Sequence, residues 1–375
     1  MNPAIVIVGY NRVNTIERLM RSVVNAEYLV DDVTLIVSLD PSDKSDEIIE
    51  TINKIGWTHG DFIINLNEER MGLKKHILKC GDLTQKYGAV IILEDDLYVS
   101  PNYYLYAKQM IEFYCDEERI CGVSLYSHAW NGYANYFFMP QRNEYDVYLG
   151  QIGISWGQCW TNKHWKSFKK WYEKNKNIKE FKSNKLPASI DLWGDQSWAK
   201  YFYNYMVQED KYYVIPYTAL STNFSEPGEH NNETSNSYQV MLLNSREKKY
   251  NIPTFDQAIK YDMFFERILT GKIINGILGE DICVNLNGLH VDCEGKKYLL
   301  TCNKYDGINY VASFGLRIRP IEENILHNIS GDDIFLYESK DLNNLEIMTY
   351  RRSSRARIKY EIYDNPKKRF EEFYG

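Results

Sequence analysis

The run Ala89-Val-Ile-Ile-Leu-Glu-Asp-Asp-Leu-Tyr-Val-Ser-Pro101 restricts what this chain can fold into more than any other stretch. Its five apolar residues, Ala89 to Leu93, include three β-branched ones and read as a strand buried on both faces, the pattern of a central strand in a parallel sheet. The strand then delivers Glu94, Asp95 and Asp96 to one point. Neighbouring carboxylates repel one another, and a hard divalent cation held by one or two of them together with substrate phosphates relieves that repulsion. In an open α/β sheet, ligands bind beyond the carboxyl ends of the strands, which is where these acids fall. An Asp-Asp pair by itself is commonly a solvated turn, so its surroundings decide.

Those surroundings are a β-α-β-α series over residues 4 to 126. Ala4–Val8 reads as a strand, followed by a helix from Thr15 to Asn25 with Ile16, Leu19, Met20, Val23 and Val24 on one face. Val33–Ser38, Ser45–Ile55, Phe62–Leu66, Gly72–Lys86 and Val90–Leu93 continue the alternation. Ser100 is the expected cap of a helix with Pro101 at its first position, and Ile120–Leu125 closes the series. The economical architecture is a right-handed, largely parallel sheet of the nucleotide-binding type. Polar groups gather at its strand ends: Tyr10-Asn11-Arg12 after the first strand, Asp40 after the second, Asn67-Glu68-Glu69-Arg70 after the third, and the acidic triplet after the fourth. Neither a Gly-x-Gly-x-x-Gly motif nor a P-loop occurs, so dinucleotide and NTPase readings lack their phosphate cradle.

From residue 127 to 235 the pattern becomes irregular and aromatic, with seven tryptophans between Trp130 and Trp198, and the expectation is that this region completes a site on the sheet. In Asp191-Leu-Trp-Gly-Asp195-Gln-Ser-Trp198, acids stand beside tryptophans just before an apolar helix around Ala199–Met206; a helix cap is the alternative use of such an acid. Residues 221 to 237 are polar, carry Pro227 and Gly228, and read as a mobile loop that orders over a ligand. Beyond residue 280, Lys297–Cys302 and Asp333–Tyr337 read as short strands of a smaller α+β or β-rich extension. The basic run 351–359 is either a solvated face or a weak attachment to anionic lipid or polysaccharide.

Composition excludes several classes. A net charge of −7 argues against a basic nucleic-acid-binding surface. Seven cysteines, odd in number and without a Cys-x-x-Cys pair, argue against a disulfide framework and a zinc site. The apolar stretch at the start is too short for a signal peptide or a membrane span, so the expected location is cytoplasmic, with peripheral association at the inner membrane face through the basic run.

Taken in order, these stretches resemble GT-A fold glycosyltransferases, in particular the N-acetylglucosaminyltransferase I family and family 2-like bacterial enzymes. The resemblance rests on Ile5-Val-Ile-Val-Gly-Tyr-Asn-Arg12, Leu35-Ile-Val-Ser-Leu-Asp40, Gly72-Leu-Lys-Lys-His76, Ile92 to Tyr103, Cys121-Gly-Val-Ser-Leu125, Trp193-Gly-Asp195, and Ser221-Thr-Asn-Phe224 with Gly228. It implies a Rossmann-like mixed sheet with a nucleotide-sugar-binding half (1–126), an acceptor-binding half (127–275) and an extension (280–375). The strand-end acids would be an Asp-x-Asp-type motif, with Asp96 ligating Mn²⁺ or Mg²⁺ on the diphosphate of a UDP-sugar and Glu94 and Asp95 contacting the ribose and sugar hydroxyls. Asn11, Arg12, Asp40 and His76 would surround the base and ribose, Trp193 would pack beside the donor sugar or acceptor, and Ser221 would open the donor-covering loop. Relatives of this kind invert anomeric configuration onto a hydroxyl of a glycan or glycolipid acceptor. Asp195 is the expected general base, with Asp191 the alternative, because the N-acetylglucosaminyltransferase pattern has a carboxylate where this chain has Gly194. A sugar-nucleotide pyrophosphorylase and a carbohydrate-binding protein without turnover are the competing readings.

Overall fold

The computed structural model describes residues 1–29, 32–224, 226, 238–293, 295–342, 357 and 360. The expected loop over residues 221–237 therefore lies outside the described residues from 225 onward, Glu226 excepted, and so does the basic run 351–359, Arg357 excepted. The chain packs as two units: Met1–His128, Arg142–Phe181 and Ile190–Ala258 form the first, and Ala129–Gln141, Lys182–Ser189 and Ile259–Gly375 the second.

The first unit follows the expected alternation closely. Its elements are β1 (Ala4–Gly9), α1 (Val13–Val24), β2 (Leu35–Leu39), α2 (Ser45–Ile55), β3 (Phe62–Leu66), α3 (Leu73–Asp82), β4 (Ala89–Glu94), β5 (Leu97–Val99), α4 (Tyr103–Phe113) and β6 (Ile120–Ser124). Then come β7 (Val147–Gly150), β8 (Gln158–Thr161), α5 (Asn162–Asn175), α6 (Trp198–Gln208), β9 (Tyr212–Pro216) and β10 (Ser221–Asn223). Helix α1 forms because Ile16, Leu19, Met20 and Val23 recur on one face, and all four are fully buried. Each such side chain contributes roughly 1.5–3 kcal/mol through burial. One cap differs from expectation: Asn102, not Ser100, precedes α4, and the Ser100 hydroxyl instead accepts the Asn102 backbone N–H (3.2 Å).

The eight main strands of this unit lie in the order β3-β2-β1-β4-β8-β6-β9-β7. β1 pairs in parallel with β2 and β4, and β2 with β3. Register is the feature that positions the site: Val8 sits opposite Ser38 on one side and Glu94 on the other, so three strands end level. The sheet is mixed, because β8 enters antiparallel between β4 and β6. β4 is thereby central, and Ala89 to Leu93 are buried as their uniform apolarity requires. β5 and β10 form a separate antiparallel pair.

Most tryptophans of the aromatic region turn out to be core. Trp160, Trp165, Trp171 and Trp198 are buried; Trp160 packs on Trp165 (4.7 Å between ring centroids) and Phe202 (5.5 Å), and Phe202 stacks on Tyr213. Gly81 on α3 meets the Trp165 ring so closely that an added Cβ would lie 2.2 Å from it. Helices α3 and α5 can approach only because that position carries no side chain.

The second unit holds β11 (Ile282–Asn285), β12 (Tyr298–Thr301), β13 (Ala312–Phe314), α7 (Ile321–Leu326) and β14 (Ile334–Glu338), with sheet order β11-β12-β14-β13. Ile282, Val284, Leu300, Phe314, Ile334 and Leu336 make its core. All seven cysteines are free thiols, six of them buried. Among the described residues no helix is long and apolar enough to cross a membrane.

Thr161 and His164 close a capping box at the start of α5, in which the Thr161 hydroxyl accepts the His164 N–H and His164 Nδ1 accepts the Thr161 N–H. His164 is buried, and burial first, then Lys163 and Lys211, pushes its pKa down to about 3. A histidine held neutral in this way supports the fold fully above pH 6.5 and withdraws that support as pH falls toward the folded value. We predict that His164→Gln, which keeps a capping-box side chain but cannot titrate, flattens the acid limb of urea stability below pH 6.5. For wild type that limb should carry about 1.4 kcal/mol per pH unit from this group.

Candidate active site

A cavity of ≈ 200 Å³ opens where β1, β2 and β4 end. Asn11, Arg12, Asp40, His76, Glu94, Asp95 and Asp96 all line it, so seven of the ten residues singled out from sequence converge. They arrive from three strand ends and from the first turn of α3. Sequence reading did not single out Tyr10, Arg70, Gly72 or Glu226, which line it too. Tyr10 and Arg70 stood in the polar strand-end runs that should have marked them, and Glu226 lies in the 221–237 stretch read as a ligand-covering loop, although nothing singled out that residue within it.

Electrostatics divide the cavity into two walls. On one, Arg12 grips the Asp95 carboxylate through Nη2, with a longer Nε contact of 3.4 Å, and reaches Asp96 Oδ2 at 3.5 Å. Burial raises the pKa of Asp95 to about 6 despite the opposing pull of Arg12. Burial, then Asp96 and Asp95, raises that of Glu94 as well. Glu94 Oε1 and Asp96 Oδ1 are buried and have no hydrogen-bond partner. One guanidinium therefore faces three carboxyl groups. Such a deficit suits an incoming cation.

On the other wall, the buried Asp40 carboxylate organises the turn after β3. It accepts from Asn67 Nδ2 (2.8 Å), from the Met71 N–H (3.1 Å) and from the Gly72 N–H (2.9 Å). Gly72 adopts φ +74°, a conformation that favours glycine, and precedes α3. His76, one turn into α3, is not a surface histidine: it is 2 % exposed, shares a 2.8 Å hydrogen bond with Ser38 Oγ, and lies 3.6 Å from Asp40. Burial lowers its pKa and Asp40 opposes that shift. The Arg70 guanidinium lies 4.5 Å from the centre of the Tyr10 ring.

The remaining three expected residues do not line the cavity. Asp195 is half exposed on the turn before α6, 3.9 Å from Lys179 Nζ; its carbonyl accepts from Lys74, the neighbour of cavity-lining Leu73. Asp191 accepts the Phe181 N–H (3.0 Å). Trp193 is half-buried against Tyr203, and Ser221 is buried, its hydroxyl donating to the Trp156 carbonyl (2.6 Å).

The donor set can be tested against a divalent cation. Among the described residues no group of three or more His, Cys, Asp or Glu forms a ready metal cage. Two orphaned carboxylate oxygens from Glu94 and Asp96 do fit a cation that takes one or two protein ligands and completes its shell with phosphate and water.

Glycosyl transferase family 2 matches the chain over residues 4–183. No curated protein matches it significantly. Solved structures that resemble it include the mannosyltransferase PcManGT from Pyrobaculum calidifontis in complex with GDP-Man and Mn2+, at 10% identity and TM-score 0.32, covering 45% of this chain and 47% of that one. S. aureus TarS 1–349 aligns at 13% identity and TM-score 0.36 (58% and 59% covered), and GalNAc-T7 with UDP, GalNAc and Mn2+ at 16% and 0.37 (58% and 43%). The alignments span about half the length of those chains, and likenesses this remote carry no argument about donor or acceptor. None of these matches singles out the N-acetylglucosaminyltransferase I family; the family 2-like resemblance is the one that holds.

Loss of the Asp40 carboxylate should free the 67–72 turn. Asp40→Ala is expected to lower stability to urea by about 1.5–3 kcal/mol and to speed hydrogen exchange at the Met71 and Gly72 amides more than at β1 amides. Residues 4–183, the stretch that glycosyl transferase family 2 matches, supply every cavity-lining side chain except Glu226.

Proposed function

We propose that the chain is a metal-dependent, inverting glycosyltransferase that moves N-acetylglucosamine or a related hexose from a UDP-sugar to a hydroxyl acceptor, in the synthesis of a bacterial surface polysaccharide or glycolipid. One observation carries the reading: within the family 2 region, a cavity at level strand ends joins an under-compensated acidic triplet to a wall of directed polar groups. The donor class and the inverting course rest on the family resemblance.

In this reading Asp96, with Glu94 beside it, holds the cation, and Arg12 keeps Asp95 ionised and oriented toward the donor. When bound, a divalent cation offsets charge on the leaving diphosphate. Asp40 and His76 meet the base and ribose, and Tyr10 with Arg70 offers a flat cationic surface beside them. The acceptor oxygen attacks the anomeric carbon as the bond to the diphosphate breaks, and the Asp195 carboxylate takes the hydroxyl proton. Asp195 suits that role better than Asp191, whose carboxylate already accepts a backbone N–H. The exposure of Asp195 means an acceptor has to bring its hydroxyl to that turn.

Incubation with a panel of nucleotide sugars and Mn²⁺ tests the assignment. We expect release of UDP that stops with EDTA and is lost in Asp96→Ala; release indifferent to that substitution would sink the metal assignment, and UTP formed with pyrophosphate would mark a pyrophosphorylase. In Asp195→Asn, donor binding should persist while transfer falls on the order of 10²-fold or more, and unchanged turnover would refute the base.

A further inference from the structure

The second unit contains a built polar pocket that the transfer reaction does not use. It is lined by Glu266, Glu322, Asn287 and Arg357, with Phe137 and Met139 among its apolar residues. Glu266, Glu322 and Arg357 are all at least nine-tenths buried. Glu266 Oε1 accepts the Asn287 N–H (2.5 Å), and Arg357 Nη2 donates to Asn287 Oδ1 (3.2 Å), so both charged residues are tied to one asparagine. The Arg357 guanidinium also lies 4.7 Å from the Tyr136 ring centre. Glu322 keeps one oxygen, Oε2, buried without a hydrogen-bond partner. Buried carboxylate oxygens are rarely left so, because a lost partner costs about 1–3 kcal/mol.

A purely structural ion network would be sealed beneath apolar residues. This one lies beside two poorly covered side chains: Phe137 is 50 % exposed and Met139 41 % exposed. Phe137 stands on the two-stranded hairpin Trp130–Asn131 and Tyr136–Phe137, braced edge-on against Trp130 (5.2 Å). The open volume is only ≈ 30 Å³, enough for a water or one hydroxymethyl arm, so most of a ligand would rest on the rim.

Charge selects the ligand class. Burial, then Asp262, raises the Glu266 pKa to about 8, so at neutral pH that carboxyl is largely protonated and can donate as well as accept. Glu322 is also raised by burial, against hydrogen bonds from its own backbone N–H and the Tyr261 hydroxyl and, more weakly, the charges of Arg267 and Arg357. An anion would face the Glu322 oxygen and a cation would face the Arg357 guanidinium. A neutral polyol with adjacent hydroxyls answers both, and its C–H face suits an exposed aromatic ring. We propose that this pocket is a binding subsite for one neutral saccharide residue, with a ring hydroxyl or hydroxymethyl arm donating to Glu322 Oε2 and the sugar face resting on Phe137.

The inference does not depend on the transferase reading, and the test keeps the two apart. Saturation-transfer NMR on the full chain with glucose, galactose, mannose and N-acetylglucosamine, in EDTA and without nucleotide, should detect at least one sugar binding in the millimolar range. That signal should fall at least 10-fold in Phe137→Ala, whose exposed side chain can be removed without unfolding, and in Glu322→Gln where the thermal midpoint is unchanged. It should persist in Asp96→Ala. The proposal is overturned if none of these sugars binds, if binding survives Phe137→Ala, if binding disappears in Asp96→Ala, or if inorganic phosphate or tetramethylammonium binds at Glu322 in place of the neutral sugars.

Discussion

Everything at the strand ends follows from the burial of carboxyl groups by their own strand. Ala89 to Leu93 are apolar enough to be drawn fully into the sheet, and the chain continues straight into Glu94 and Asp95, so acids enter an environment that penalises their charge. The Arg12 guanidinium pairs with Asp95 and Asp96, and it comes from the end of the adjacent strand because β1 and β4 run in register. One positive group against three acids leaves the site poised for another cation. The concentration of acidic groups in the pocket is thus a by-product of how hydrophobic its supporting strand is.

Asp40 plays a different part on the facing wall. Its carboxylate serves mainly as a local organiser, converting a flexible turn into a fixed rim and seating the first turn of α3 with His76 beneath it. Opposite walls are therefore held by opposite logics: charge in deficit on one side, hydrogen bonds nearly saturated on the other. A ligand with a charged end and a heteroaromatic end would experience the two walls separately.

Much of this was legible in the sequence because it is local. Helix and strand positions between residues 4 and 126 follow from periodicity, and the polar residues after β1, β2 and β4 are marked by where the apolar runs stop. What was not legible depends on distant pairing. The family resemblance puts His76 near the ligand, but its burial and its partners Ser38 and Asp40 come from another strand and leave no local trace. The aromatic region is expected to complete a site, yet its Trp160, Trp165 and Trp198 are core residues that pack on one another and on Phe202. The grouping of residues 129–141 with the C-terminal region, from which the saccharide pocket arises, has no signature in either segment alone. Asp195 was read from its motif, and its distance from the cavity lining reflects a turn whose course periodicity cannot describe.

The antiparallel entry of β8 bears on how the protein is made as well as how it stands. β4 pairs with β1 on one side through residues synthesised before it, but its other edge is covered only by Gln158–Thr161. During synthesis this strongly apolar strand therefore presents open backbone groups while the intervening chain is still emerging, a state that invites pairing with other nascent chains. Truncations ending before Gln158 would leave that edge permanently uncovered, so a fragment holding Glu94, Asp95 and Asp96 would be expected to aggregate rather than fold.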